Sequence, residues 1–121
     1  MIVPIDRQDA AALVLHMRTM RQSFRNLLKK KYKSEQKEHL AAFDYVVKES
    51  TELLVNEDQK HKDLHLNINE LRVLEEFLRA YVAKTEKEMT EAMTDDYKQH
   101  MQLLSNIQAF CRELIDNVPI S

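Results

Sequence analysis

The chain of 121 residues contains no glycine and no tryptophan, and it has only two prolines and one cysteine. Glycine supplies the positive-φ turns that phosphate-binding loops, dinucleotide-binding turns, nucleophile elbows and EF-hand loops require. Its absence therefore excludes those classes of site. Many-stranded β folds also depend on tight turns, whereas the abundant Leu, Lys, Glu, Ala, Gln and Met favour helices. The composition predicts an all-α chain.

A single cysteine cannot form an internal disulfide, and no apolar run is long enough to span a bilayer. The N-terminal segment is interrupted by a proline and three charged residues, so it forms no signal h-region. Cys111 lies on an apolar stripe between Ile107 and Leu114, which indicates a small buried hydrophobe and not a reactive thiolate. We therefore expect a cytoplasmic protein with no membrane segment.

Apolar spacing of three and four residues, together with capping residues, predicts four helices. The start of the third predicted helix has the clearest sequence signal, because Asn67 and Glu70 have capping-box spacing. Leu66 and Leu71 stand where a hydrophobic staple would pack across that cap. The predicted N-caps are Asp6, Ser34, Asn67 and Thr94, and the predicted ends of the first, second and fourth helices are Tyr32, Asn56 and Pro119.

These helices predict an up-down antiparallel four-helix bundle that forms a single domain over residues 1–121. The alternative is three helices with one long central helix, because one heptad count continues from position 40 to position 92. Polar residues at several of those positions, including Ser50 and Glu75, favour a break. The polar stretch of residues 56–67 has the composition of a linker.

Charge is distributed unevenly along the chain. The net charge of −2 combines +5 in residues 1–40 with −7 in residues 41–121. Basic residues from Arg7 to Lys29 fall within an arc of about 80° on the first helix, beside its apolar stripe. Such a surface could bind an acidic protein or the phosphates of a nucleic acid. We define the basic ridge as Arg18, Arg21, Arg25, Lys29, Lys30, Lys31 and Lys33.

An internal role for the basic ridge is the alternative interpretation. In an up-down bundle the first and third helices end at the same side, which would bring Lys29 to Lys33 close to acidic residues. The sequence pI of about 6.2 also lies well below the value above about 9 that is typical of nucleic-acid-binding domains. The acidic residues expected near that end are Glu86, Glu88, Glu91, Asp95 and Asp96.

The third and fourth helices have apolar faces of about 180°, wider than one packing contact needs. One interpretation is that both helices are deeply buried in a monomer, and the other is that they form a homodimer or partner interface. The predicted interface residues are Val73, Phe77, Tyr81, Leu103 and Phe110.

Histidine spacing offers a weaker signal. On a helix, Glu57, His61 and His65 would lie on one side, as metal ligands do. The chain lacks H-E-x-x-H and Glu-x-x-His, however, so we interpret these histidines, and also His16, His39 and His100, as surface residues. We expect no metal and no cofactor.

The sequence thus predicts a small non-catalytic protein that acts by protein–protein interaction, including with itself, as an adaptor, regulator or assembly chaperone. The first alternative is a nucleic-acid-binding regulator that uses the basic ridge. The third hypothesis is a metal-binding helical bundle. We expect no enzymatic activity, because no paired acid and base or activated nucleophile stands out in the sequence.

Overall fold

A computed structural model describes residues 1–32, 34–88 and 94–118 of the chain. Four helices carry the fold, which confirms the all-α, four-helix prediction. A short strand separates the second helix from the third, so the alternative with one long central helix is wrong. The elements in chain order are β1 (Ile2–Asp6), α1 (Arg7–Lys31), α2 (Gln36–Val55), β2 (His61–His65), α3 (Ile68–Glu88) and α4 (Asp95–Asp116).

Local capping bonds explain where three of the four helices begin. The backbone N–H of Asp9 donates to the Asp6 carboxylate at 2.8 Å, and the Asp6 N–H donates back to Asp9 at 3.1 Å. Asn67 and Glu70 exchange the same reciprocal pair of bonds, at 2.8 and 2.9 Å. The Thr94 hydroxyl accepts the first-turn N–H of α4 at 3.3 Å. All three predicted N-caps are confirmed, because each side chain satisfies amides that the helix leaves unpaired.

The start of α2 differs from the prediction. Its N-cap residue is Glu35, one position after the predicted Ser34, and its side chain makes no capping bond. Packing of the apolar face therefore replaces capping at this end. The helix ends agree better, since Tyr32 and Asn56 are the C-cap residues of α1 and α2, as predicted. Pro119 lies outside the described residues, and α4 ends at Asp116.

A two-stranded antiparallel sheet replaces the predicted linker. β1 and β2 pair with Val3 opposite Leu64 and Ile5 opposite Lys62. Val3, Ile5 and Leu64 are buried. β2 then returns along α2, where the Tyr45 hydroxyl donates to a carbonyl of β2 at 3.4 Å. As a result, α3 begins beside the middle of α2 and not at its end.

The helices form a closed set of contacts in which α1 packs on α2, α2 on α3, α3 on α4, and α4 on α1. The buried apolar residues belong to one cluster that includes members from all six elements. Phe24, Phe43 and Phe77 form its aromatic centre, with ring centroids 4.9 to 5.4 Å apart. None of the described helices is both long and apolar enough to cross a membrane.

The carboxyl end of α2 is held by a side chain from the first turn of α1. The Arg7 guanidinium donates to four backbone carbonyl oxygens, those of Leu53, Leu54, Asn56 and Gln59, over distances of 2.8 to 3.0 Å. Helix carbonyls at a C-terminus lack partners and carry partial negative charge, which a guanidinium satisfies. Arg7 therefore joins the two ends of the α1/α2 hairpin.

Candidate functional site

The basic ridge is partly neutralised by the protein itself. Arg21 forms a bidentate pair with Asp44 of α2, with both N–O distances at 2.9 Å. Arg18 donates to the Thr51 hydroxyl at 3.3 Å. These residues position α1 against α2, so they do not present a continuous cationic surface. Lys33 lies outside the described residues.

Lys31 pairs with Glu76 of α3, which also accepts a bond from the Tyr32 hydroxyl at 3.0 Å. Burial acts to raise the pKa of Glu76, but the bonds from Lys31 and Tyr32 outweigh it and lower the pKa. Glu76 lies almost three helical turns before Glu86, so this partner differs from the predicted acidic set. Because β2 shifts the start of α3 along α2, the end of α1 meets the first half of α3.

The remaining ridge cations are exposed. Arg25, Lys29 and Lys30 form no ion pair within the described ranges. Arg25 and Lys29 line a notch of about 210 Å³ between the end of α1 and the start of α2, together with Lys37 and the apolar Leu28 and Leu40. This notch, which we call the basic notch, is the part of the ridge that remains open to an anion.

The predicted interface residues occupy three different environments. Val73 and Phe77 are only 3% and 4% exposed, so both are core residues of the single chain, and their part in a dimer interface stays a prediction. The wide face of α3 is instead covered by α2 and α4, and Phe24 of α1 contacts Phe77. Tyr81 and Leu103 are half-buried against the core, and Phe110 is 39% exposed. The physical reason is that α3 contacts helices on two sides.

An open apolar groove lies between α1 and α3. It has a volume of about 290 Å³ and is lined on the α1 side by Met20, Phe24 and Leu27 and on the α3 side by Phe77 and Tyr81. The buried Phe24 and Phe77 form its floor, and the exposed Ser23 and Ala80 also line it with small side chains. We call this feature the α1/α3 groove.

Leu27 is an exposed apolar residue at the edge of this groove. Leu27 follows Phe24 by three residues, a spacing that predicts a core position on α1, but it is 44% exposed. Its neighbour Leu28 takes the core position. The helix turns 100° per residue, and the contact with α2 selects Leu28, which directs Leu27 to the other side of α1. An apolar side chain is thus exposed beside an apolar cavity.

Charged side chains surround the α1/α3 groove. Its lining includes Lys31, Arg79, Lys84 and one acid, Glu76. Glu76 is already occupied by Lys31 and Tyr32. Lys84 makes no ion pair among the residues that the structure describes. The groove therefore combines an apolar floor with a net positive edge.

A polar cleft adjoins the groove on the other side of Glu76 and Arg79, and sequence reasoning missed it. At its base the buried Glu75 accepts from Arg79 at 3.0 Å and from Gln108 at 3.2 Å, with Arg112 4.0 Å away. A buried carboxylate needs such partners to offset its lost hydration. This network joins α3 to α4 and satisfies its own charges.

All five histidines were predicted to lie at the surface. This prediction is wrong for His16. His16 is 4% exposed, because it stands three residues after Leu13 on the core face of α1. This spacing was a signal that could have identified it. Its Nδ1 atom lies 2.7 Å from the Tyr81 hydroxyl, and its Nε2 atom lies 3.2 Å from Nδ1 of His100. We call His16 and His100 the histidine pair.

The suggested metal-ligand spacing does not form on a helix. His61 and His65 lie on β2 and are exposed, so the argument for one helical side fails. In the described part of the chain, no group of three or more His, Cys, Asp or Glu side chains is placed to hold a metal.

Cys111 is buried, which confirms the prediction of a small core residue. Burial, with a contribution from the charge of Glu75, raises the pKa of its thiol to about 12. The thiolate is the nucleophilic form of cysteine, and its population is negligible at such a pKa. Cys111 therefore packs in the core and does not supply a reactive group.

No protein-family model, curated protein or solved structure matches the chain. The function is therefore inferred from the geometry of the chain itself.

Proposed function

We propose that this protein is a non-catalytic interaction module whose α1/α3 groove binds an acidic amphipathic helix of a partner protein. It would act as an adaptor, regulator or assembly chaperone. A cytosolic location accords with its unpaired cysteine. The observation that carries the proposal is the open apolar groove with Leu27 exposed at its edge and cations around it.

The size of the groove favours side chains over a cofactor. Its volume of about 290 Å³ is at the lower limit of the range of about 300–1,000 Å³ that small-molecule sites occupy. It lies between two helices and remains open to solvent along its length. Such grooves receive the apolar face of a helix through residues at i, i+3, i+4 and i+7.

Charge favours an acidic occupant. Lys84 on α3 flanks the apolar floor and forms no ion pair among the described residues, whereas Arg79 and Lys31 stand at the same edge in pairs with Glu75 and Glu76. Glu76, the acid among the described lining residues, is paired internally. Carboxylates on either side of a partner's apolar stripe would meet these cations, which selects against basic helices and accelerates association.

Two synthetic helices test this proposal. The first, about 15 residues long, carries leucines at i, i+3, i+4 and i+7 and glutamates elsewhere; the second has lysine in place of every glutamate. We expect fluorescence anisotropy to detect binding of the acidic helix only. Equal binding of the two helices, or no binding of either at about 1 mM, contradicts the proposal.

Two variants of α1 provide a matched comparison. Leu27 and Leu15 are both exposed leucines, at 44% and 54%, but only Leu27 is among the groove residues. Burying a leucine contributes about 1.5–3 kcal/mol, so Leu27→Asp should weaken binding by about tenfold or more. Leu15→Asp should leave it unchanged. Equal effects of the two substitutions would place the binding surface elsewhere.

The charge requirement has its own variant. Lys84→Glu should lower the affinity for the acidic helix and raise the affinity for the basic helix, because exposed ion pairs act mainly through charge complementarity. Sedimentation equilibrium tests whether the groove instead binds a second copy of the chain. A concentration-dependent mass that Leu27→Asp abolishes would mean that the groove binds the protein itself, against the proposed partner.

The basic notch supports nucleic-acid binding as a second candidate function. Arg25, Lys29, Lys30 and Lys37 lie at or beside it without ion pairs among the described residues. Binding to phosphates would weaken steeply between about 50 and 200 mM salt. Arg25→Glu should abolish it, with Arg18→Glu as the control. No binding of single- or double-stranded DNA or RNA at low salt removes this candidate.

A further inference from the structure

We infer that protonation of the histidine pair regulates the α1/α3 groove, so that the groove binds its partner at neutral pH and releases it in acid. This inference rests on the proposed function, because it concerns the same groove. It follows from the way His16 connects α4 to Tyr81, which is both a partner of His16 and a lining residue of the groove.

The histidine pair lies where α1, α3 and α4 meet. His16 comes from α1, His100 from α4 and Tyr81 from α3. Three aromatic rings surround the His16 ring, with centroids 5.4 Å away for Tyr81 and His100 and 5.7 Å away for Tyr97. His16 is buried, whereas His100 is half-exposed and can exchange protons with water.

Hydrogen-bond accounting fixes how many protons the pair accepts. A neutral imidazole has one N–H donor and one acceptor, and an imidazolium has two donors. With no added proton, or with one added on His100, His100 Nδ1–H can donate to His16 Nε2 while His16 Nδ1–H donates to the Tyr81 oxygen. With a second proton on His16, two N–H groups face each other over 3.2 Å. Two like charges and two donors then repel, and the rings must separate.

Few neighbouring charges would stabilise the second proton. From α3, Tyr81 and the buried Thr85 face this region, and the charge of Glu88 acts on Tyr81. From α4, Tyr97 and His100 contact the ring. Asp96 lies one turn before His100 on α4, and Glu88 acts on Tyr81, but the charge that acts on His16 within the described residues is that of the second histidine.

The elements on the remaining sides of His16 contribute no charge either. On its own helix, the positions one turn away hold Ala12, Leu13, Thr19 and Met20. Near this level, in the described chain, α2 meets α1 through Thr51, which does not titrate. Burial first, and then the charge of His100, lower the pKa of His16 below its ordinary value of 6.5. The second proton therefore binds only in acid.

An aromatic chain transmits the displacement to the groove. Tyr81 stacks on Phe77 with ring planes 8° apart and centroids 5.6 Å apart, and Phe77 contacts Phe24 edge-on at 5.4 Å. Tyr81, Phe77 and Phe24 all line the groove. Close-packed interiors do not deform continuously, so a displaced His16 must move or release Tyr81. The floor of the groove then loses its shape.

Peptide affinity at two pH values tests the regulation. The acidic helix defined above is the probe, and its anisotropy is measured at about pH 7.5 and about pH 5. We expect the affinity to fall by about tenfold for the natural chain, the equivalent of one pKa unit of coupling. His100→Gln, which keeps a polar group but cannot be charged, should reduce the change to less than about twofold. Any effect of pH on the peptide is common to both proteins.

Nuclear magnetic resonance of the free protein separates this inference from the proposed function. We expect the ring protons of His16 to titrate below its ordinary pKa of 6.5, with the backbone amides of Leu27 and Ala80 shifting in the same step. In His100→Gln these amide shifts should disappear.

Peptide affinity that does not change with pH, or groove amides whose chemical shifts do not follow the histidine titration, would overturn the proposed pH regulation but not the proposed function. Failure of the peptide to bind at either pH would overturn the proposed function. In that case the amide titration still decides whether the histidine pair controls the groove.

Discussion

Replacement of Arg7 by alanine should destabilise the protein more than any other single change to an arginine of α1. Its guanidinium donates four hydrogen bonds to carbonyl oxygens at the end of α2 and in the following turn. A hydrogen bond from a charged donor contributes about 1.5–3 kcal/mol in a buried setting. The four bonds share one partly exposed group, so their sum is far smaller than four times that value.

The magnitude can be bounded from two sides. Loss of the guanidinium removes this donor from the carbonyls of Leu53 and Leu54, while Asn56 keeps the backbone N–H of Gln59 at 3.1 Å. It also removes a cation from the negative end of α2, which alone contributes about 0.3–1 kcal/mol. We therefore expect Arg7→Ala to lower the free energy of unfolding by about 2–4 kcal/mol. This is a large part of the stability of about 5–15 kcal/mol that is typical of a domain.

Urea unfolding followed by circular dichroism measures this change. Arg25→Ala is the control, because Arg25 lies on the same helix, is exposed and has no ion pair in the described chain; its cost should stay within about 0.5 kcal/mol. Arg7→Lys should recover less than half of the loss, because an ammonium cannot span four oxygens. A fully stable Arg7→Lys, or Arg7→Ala matching the control, refutes the capping role.

Three further outcomes follow from buried groups. The pKa of His16 is lowered in the folded chain, so the unfolded state binds more protons in acid. The free energy of unfolding should therefore be highest above about pH 6.5 and decrease as the pH falls below that value. In urea titrations, His16→Gln should make this decrease smaller. The buried Ser50 hydroxyl has no hydrogen-bond partner among the residues that the structure describes, so Ser50→Ala should maintain stability or raise it by about 1 kcal/mol. A loss above about 1 kcal/mol in thermal unfolding would contradict this. Cys111, with its pKa raised to about 12, should resist a thiol reagent until urea unfolds the chain; rapid labelling of the native protein would show that the thiol is accessible.

The helices could be predicted because their signals are local. Asp6, Asn67 and Thr94 each cap amides no more than three residues away, and a reader of the sequence sees both partners together. The two strands could not be predicted from the sequence, because β1 pairs with residues about sixty positions later and each strand has only five residues. Pairing over that distance depends on the packed helices and leaves no local pattern.

The candidate site was predicted only in part, because helical periodicity gives a face but not its neighbour. Leu27 and Leu28 both fit an apolar stripe, and the contact with α2 decides which one is buried. The same uncertainty applies to the basic ridge, where Arg21 meets Asp44 across the hairpin while Arg25 meets solvent. Arg7 belonged to the same arc by spacing, yet it binds the end of α2.

Mapping of the acidic helix onto the isotopically labelled protein by nuclear magnetic resonance tests the docking role of the α1/α3 groove most directly. We predict that the largest changes in amide chemical shift occur at Ser23, Leu27, Ala80 and Lys84, which line both sides of the groove. The amides of Arg25, Lys29 and Lys37 at the basic notch should change little. Shifts concentrated at the basic notch, or no shifts at all at saturating peptide, would contradict a docking site between α1 and α3.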